Sequence, residues 1–172
     1  MLSRRQLLLI GSAVALVPAA AVAGRYIAIA AQDEPEGDFE ITRTPEEWRK
    51  ILTENEYLIL REEKTERAFT SELLKEKREG NYTCAGCDLP VYSSDTKFDS
   101  KTGWPSFYEA LPDAVRTKPD NTLLTPRTEV HCRRCGGHLG HIFDDGPPPT
   151  GKRHCINGIA LDFIPADGAA TG

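Results

Sequence analysis

The chain has 172 residues, of which 40% are hydrophobic, 27% charged and 8% aromatic, a balance that excludes a wholly disordered polymer and suits one globular domain with short flanking segments. The formal net charge of −5 excludes a nucleic-acid grip, because no basic excess exists to neutralise phosphates.

Residues 1–31 belong to targeting rather than to the fold. Arg4-Arg5 precede an uncharged stretch, Leu7–Ala23, that closes in Ala19-Ala20-Ala21-Val22-Ala23. A positive head, an apolar middle and an Ala-x-Ala end predict a secretory signal, cut after Ala23 or near Ala30 and Ala31, with an uncleaved membrane anchor as the alternative. Ser3-Arg4-Arg5-Gln6-Leu7-Leu8 resembles a twin-arginine signal, which implies export of an already folded protein to the periplasm. Residues 32–40 are acidic with Pro and Gly and predict a linker. Residues 41–166 then form the domain, and 167–172 a flexible tail.

A helix is predicted to start at Thr44, with Pro45 in its first turn and Glu47 completing a capping box. Trp48, Ile51 and Leu52 fall on one face of it. Thr53 with Glu56 predicts a second start, with Tyr57 and Leu60 as its apolar positions. From Gly80 onward the texture becomes that of strands. Leu89–Tyr92, Glu129–Cys132 and Ile159–Phe163 are short apolar or β-branched runs punctuated by Gly, Pro, Asn and Asp. The expectation is a small helical lead-in followed by a mainly β, antiparallel domain.

Five cysteines sort themselves by spacing. Cys84-Ala85-Gly86-Cys87 and Cys132-Arg133-Arg134-Cys135 are two Cys-x-x-Cys knuckles, and two such knuckles complete a tetrahedral four-sulfur zinc site. Such a site is structural, since it leaves the metal no open position. Export favours the alternative of redox-active or disulfide-forming pairs. Cys155 is left over, either an inert buried thiol or a reactive one. In Arg153-His154-Cys155-Ile156-Asn157 a strand period sends Arg153, Cys155 and Asn157 to one face. A cation and a polar amide beside the sulfur favour the reactive reading. Ile159, Leu161 and Phe163 continue the same parity, so one strand is expected to carry a reactive end and an anchored end.

His138 and His141 sit three apart, which on a regular strand opposes their rings; Gly140 between them permits a bulge that turns both into one pocket.

Several separated motifs, in order, resemble methionine sulfoxide reductase B. They are Gly103-Trp104-Pro105-Ser106-Phe107, His138-Leu139-Gly140-His141-Ile142-Phe143-Asp144-Asp145-Gly146-Pro147 and Arg153-His154-Cys155-Ile156-Asn157. The similarity runs from Glu46-Glu47-Trp48 through Phe163 and includes both knuckles. It implies two antiparallel sheets with flanking N-terminal helices, and a structural zinc on Cys84, Cys87, Cys132 and Cys135 away from the active site. It implies Cys155 as nucleophile, with His138, His141 and Asn157 placing a water and the sulfoxide oxygen. Arg153 and Asp145 match positions for thiolate stabilisation and organisation of the site, and Trp104 and Phe107 match the substrate-binding wall. The substrate implied is the R epimer of methionine sulfoxide, chiefly in oxidised proteins, and the role is repair. A monomer satisfies these expectations.

The chemistry accounts for those residue types. A sulfoxide oxygen must be protonated or strongly hydrogen-bonded before attack, and a thiol must lose its proton, so a cysteine with a depressed pKa beside a histidine is expected. Many family members place a resolving cysteine two residues before Trp in Ser-x-Cys-Gly-Trp-Pro. Here Ser100-Lys101-Thr102-Gly103-Trp104 puts Thr102 there, and threonine forms no disulfide. A one-cysteine cycle follows, with a sulfenic acid on Cys155 resolved by an external small thiol or a thioredoxin-like protein. Two rivals remain: a zinc-ribbon binding module, which leaves Cys155, the histidines and Trp104 without a shared purpose, and a thiol-disulfide oxidoreductase using one knuckle as its active pair.

Overall fold

The computed structural model describes residues 39–123 and 125–166. The signal and tail readings, and all but the end of the linker, lie outside the described residues.

Both helical starts form where their caps lie. Ahead of α1 (Pro45–Ile51), the Thr44 hydroxyl accepts the Glu47 amide while the Glu47 carboxylate accepts the Thr44 amide at 2.8 Å. Thr53 and Glu56 repeat the exchange ahead of α2 (Glu54–Leu60), with the returning bond at 2.7 Å. Each box satisfies two orphan amides. Helices of 7 residues are too short to persist alone, so packing of Trp48, Leu52, Tyr57 and Leu60 in the core holds them. Ile51, expected beside Trp48, is instead 55% exposed. The helix ends there, and Leu52, an extended C-cap, turns inward in its place.

Nine strands follow among the described residues: β1 (Gly80–Cys84), β2 (Pro90–Ser93), β3 (Lys97–Phe98), β4 (Ser106–Phe107), β5 (Val115–Asp120), β6 (Arg127–Cys132), β7 (His138–Phe143), β8 (Arg153–Ile156) and β9 (Leu161–Pro165). They form a 3-stranded sheet, β2-β1-β9, and a 6-stranded sheet, β3-β4-β8-β7-β6-β5, with every pairing antiparallel. The expected mainly β architecture of two antiparallel sheets with N-terminal helices is the one observed.

The segment from Arg153 to Phe163 is not one strand. A 3₁₀ turn, Gly158–Ala160, with Asn157 as its N-cap, separates β8 from β9 and passes the chain to the other sheet. Crowding makes glycine necessary in that turn: a Cβ on Gly158 would lie 1.9 Å from Ser71 Oγ. Leu161 is buried as expected, while Ile159 and Phe163 are only partly buried against the core.

The core is aromatic. Tyr82, Tyr92 and Phe107 are fully buried; Phe107 stacks on Tyr92 with ring centroids 4.4 Å apart and meets Tyr82 edge-on at 5.0 Å. This corrects the expectation that Phe107 lines a substrate pocket. In the register, Phe107 pairs with His154 while Ser106 pairs with Cys155, so the residue beside Phe107 takes the reactive face and Phe107 faces the core.

Candidate active site and metal centre

Strand register assembles the site. Cys155 lies between Ser106 of β4 and His141 of β7, His141 pairs with Glu129 of β6, and Glu129 pairs with Lys118 of β5. Residues directly opposite on neighbouring strands share a face, so one row across five strands carries hydroxyl, thiol, imidazole, carboxylate and ammonium. Lys118 Nζ lies 3.0 Å from Glu129 Oε2.

His138 enters through a bulge. Val130 pairs with Gly140 but His131 pairs with His138, which leaves Leu139 as the extra residue and reverses the parity of His138. The two imidazoles come together, with centroids 5.4 Å apart. Each is anchored by a carboxylate that sequence reasoning missed: His138 Nδ1 to Glu129 Oε1 at 2.8 Å, and His141 Nε2 to Asp120 Oδ2 at 2.7 Å. A carboxylate only accepts, so the protons sit on His138 Nδ1 and His141 Nε2. The buried Nε2 of His138 has no partner among the described residues. Burial pushes Glu129 up, yet hydrogen bonds from His138 and Lys118 outweigh it and hold the carboxyl below its usual value. Hydrogen bonds from Thr122, with further ones from His141 and Arg127, hold Asp120 well below.

The thiol is half-buried and next to Thr102, whose Oγ1 lies 3.9 Å from its Sγ. Thr102 continues a hydroxyl chain, 2.8 Å to Ser100 and from there 2.7 Å to Ser106. Arg153 is buried and clamped by Asp145 through two bonds of 2.8 and 2.9 Å, with its guanidinium over the Phe143 ring at 4.4 Å. These neighbours do not depress the thiol as expected. Burial pushes Cys155 up, and Thr102 and Arg153 offset only part of the rise. The charge of Asp145, clamped to that guanidinium, raises the thiol a little further. Burial also pulls His141 down against Asp120. The resting pair is therefore neutral thiol and neutral imidazole.

Asn157 lies just past β8, as the N-cap of the 3₁₀ turn, rather than within the strand. It is 4% exposed, and its amide accepts from Glu66 N at 2.9 Å and donates to Leu139 O at 3.1 Å. It thereby fixes both the histidine bulge and the loop at Glu66. The same Glu66 accepts Trp104 Nε1–H on its carbonyl at 2.9 Å and the Ile159 amide on its carboxylate at 3.1 Å. Glu66 thus orients the indole; nothing in its local sequence marks it. His154, of opposite parity to Cys155, is buried and bonded to Tyr92 Oη at 3.1 Å.

The knuckles lie at strand ends: Cys84 closes β1 with Cys87 in the turn beyond, and Cys132 closes β6 with Cys135 in the turn to β7. All four sulfurs lie within 4.8 Å of one another, at 3.7 Å for Cys84–Cys135 and 3.5 Å for Cys87–Cys132. A tetrahedron with zinc–sulfur bonds of about 2.3 Å has edges of about 3.8 Å, so the geometry fits one zinc ion and no disulfide. Interaction with the neighbouring sulfurs and burial push the Cys84 thiol up, which is the crowding a divalent cation relieves. The four cysteines form a structural zinc site.

Comparison with known proteins agrees with this geometry. Residues 52–165 match the family model described as SelR domain. A protein of Methanosarcina barkeri named peptide methionine sulfoxide reductase MsrB is 52% identical over 124 residues, 72% of this chain and 87% of that one. Proteins of the same name from Thiobacillus denitrificans and Leifsonia xyli subsp. xyli are 55% and 50% identical, covering 73% and 78% of this chain and 96% and 99% of theirs. With that coverage, the chain belongs to the SelR-domain family of methionine sulfoxide reductase B.

Proposed function

We propose that this chain reduces the R epimer of methionine sulfoxide, chiefly within oxidised proteins, with Cys155 as nucleophile. The observation that carries the reading is Cys155 in register with His141, next to Thr102, while the other four cysteines surround a metal. The Cys155 sulfur forms a bond to the sulfoxide oxygen as the methionine S–O bond breaks. Methionine leaves reduced by two electrons, and the thiol proton ends on the cysteine sulfenic acid. His138, with Glu129 holding Nδ1, presents Nε2; in its protonated form that nitrogen donates to the sulfoxide oxygen, where negative charge develops. Trp104, its indole N–H fixed by Glu66, offers a rigid wall for the ε-methyl group, which distinguishes one sulfur epimer from the other by shape.

Thr102 makes this a one-cysteine cycle. Two external thiols, or the dithiol of a thioredoxin-like protein, return the sulfenic acid to the thiol with release of water. The protein acts as a monomer after export on its twin-arginine-like leader; fractionation of cells expressing the Arg4→Lys, Arg5→Lys variant tests that route, and unchanged export overturns it.

The deciding assay supplies the separated epimers to the wild type and to Cys155→Ser. Turnover of the R epimer alone is expected, lost in the variant with fold and zinc retained. After one turnover without reductant, a sulfenic acid on Cys155 is expected, trapped by a dione reagent. A disulfide from Cys155 to a knuckle cysteine overturns the one-cysteine cycle.

A further inference from the structure

A cavity of about 280 Å³ opens beside Trp104, floored by Phe69, Leu74 and Trp104 and edged by Lys77 and Lys97. It adjoins the reactive site: Ser100, in its lining, bonds to the same Thr102 hydroxyl that faces the Cys155 sulfur.

Phe69 stands out among its walls. Its ring is 70% exposed, the most of any large hydrophobic side chain among the described residues, and its backbone sits at φ 67, a region costly for a bulky side chain. A 2.7 Å bond from its amide to Gly103 O holds it there. An aromatic ring kept in water by a strained backbone, at a cavity that a second aromatic also lines, is the arrangement of a contact surface.

The rim is cationic although the chain as a whole carries −5. The nearby acids are engaged, Asp99 by Lys101 at 2.7 Å and Glu76 by Arg78 at 2.6 Å. Burial first, and then the adjacent Lys77, pull Lys97 below its ordinary value against the opposing charges of Glu76 and Asp99.

We infer that this groove binds the polypeptide that flanks the oxidised methionine, and selects flanks carrying Asp or Glu. The inference rests on the reductase reading above and names its substrate class. An extended peptide advances about 3.3 Å per residue, so with the sulfoxide side chain against Trp104 the next few residues reach Phe69 and the two lysines. The ring packs on the peptide and exposed Lys77 pairs with its carboxylates, while Lys97, whose ammonium donates to Glu76 O at 2.8 Å, adds positive charge from a fixed place in the wall.

Two synthetic peptides of equal length, each with one (R)-methionine sulfoxide and differing only in Glu or Lys at the flanking positions, test this. The wild type is expected to prefer the Glu peptide by about fivefold in kcat/KM at low salt, with the preference fading as salt rises. Lys77→Glu should shrink or invert the ratio, and Lys97→Glu should add to that effect; Lys77 is exposed, so its variant carries the test if Lys97→Glu disturbs the sheet edge. Phe69→Ala should raise KM for both peptides. Equal rates on the two peptides, or a ratio untouched by Lys77→Glu, overturn the inference. Turnover itself reports on the chemistry: failure of the wild type to reduce either peptide overturns the reductase reading, whereas turnover of both at equal rates overturns only the groove.

Discussion

Cys155 is held by opposed influences whose signs are separately testable. Burial raises the thiol, Thr102 and Arg153 lower it, and the charge of Asp145 raises it again. Arg153→Met should therefore slow alkylation of Cys155 by iodoacetamide near neutral pH and displace its pH profile upward. Asp145→Asn should do the reverse, by about two- to threefold, because Asp145 is largely solvent-screened. A faster Arg153→Met reaction at every pH would rule out the guanidinium as a thiolate stabiliser. A neutral resting thiol also has a use, since it is slow toward adventitious oxidants until substrate supplies the hydrogen-bonded oxygen. His154 shows the same burial effect acting on stability. Burial, with a smaller contribution from Lys152, brings its value down to about 4, below that of the unfolded chain. Its neutral form is thus preferred on folding; the stability it confers is complete above about pH 6.5 and is lost as pH falls from there toward 4, by up to about 3 kcal/mol. Urea midpoints of wild type and His154→Phe between pH 7.5 and 5 should diverge in slope, the variant being flatter. Parallel slopes would assign the acid sensitivity elsewhere.

At the scale of elements, the site depends on how closely β7 and β8 approach. A Cβ on Gly140 would lie 2.1 Å from Cys155 O and 3.0 Å from Ile156 Cα, so Gly140→Ala must push the strands apart at Cys155. A cost of about 1–3 kcal/mol and a fall in kcat of about tenfold or more are expected, measured by thermal melting and steady-state rates; an unchanged melt and rate would show that the strands yield freely. The bulge between His138 and His141 was legible in the sequence from Gly140, although the extra residue is Leu139 and the glycine itself is required by the approach of β8. So were both capping boxes and the two knuckles, because each is written within a few consecutive residues. What was not legible is whatever arrives by register or by a loop closing from far away. Glu129 and Asp120 reach their histidines only once β5, β6 and β7 are aligned and Leu139 is taken up by the bulge. Glu66 meets Trp104 and Asn157 across long stretches of chain. Phe107 carries the apolar character of a pocket wall, and only its pairing with His154 assigns it to the core. The turn at Gly158–Ala160 likewise broke a parity argument that was sound only for a continuous strand.

For the whole molecule the decisive feature is that the metal joins the two sheets. Cys84 ends a strand of the 3-stranded sheet and Cys132 a strand of the 6-stranded one, so the four ligands close a loop from Cys84 to Cys135 that contains β2 to β6. The lead-in is fastened to the same place, with Ile41 N donating to Arg134 O at 3.0 Å and Arg61 to Cys135 O at 2.9 Å, and Arg134 joins one knuckle to the other by donating to Cys87 O at 3.0 Å. Leu60 packs over both knuckles, its methyls 3.5 and 3.0 Å from where side chains on Gly86 and Gly137 would begin. Metal binding of this kind contributes about 10 kcal/mol or more to folding, comparable to the whole stability of a small domain. Displacement with a mercurial should release one zinc per chain, and thiol counting should rise from one reactive group in the native protein to five. Cys87→Ser should lower the melting midpoint by more than about 10 °C. Its residual folded fraction, isolated at low temperature, should still alkylate at Cys155, because that thiol is placed by β4, β7 and β8 rather than by the ion. Loss of Cys155 reactivity in protein that remains folded would mean the metal tunes the chemistry directly; an unchanged melting midpoint would mean the sheets hold together without it.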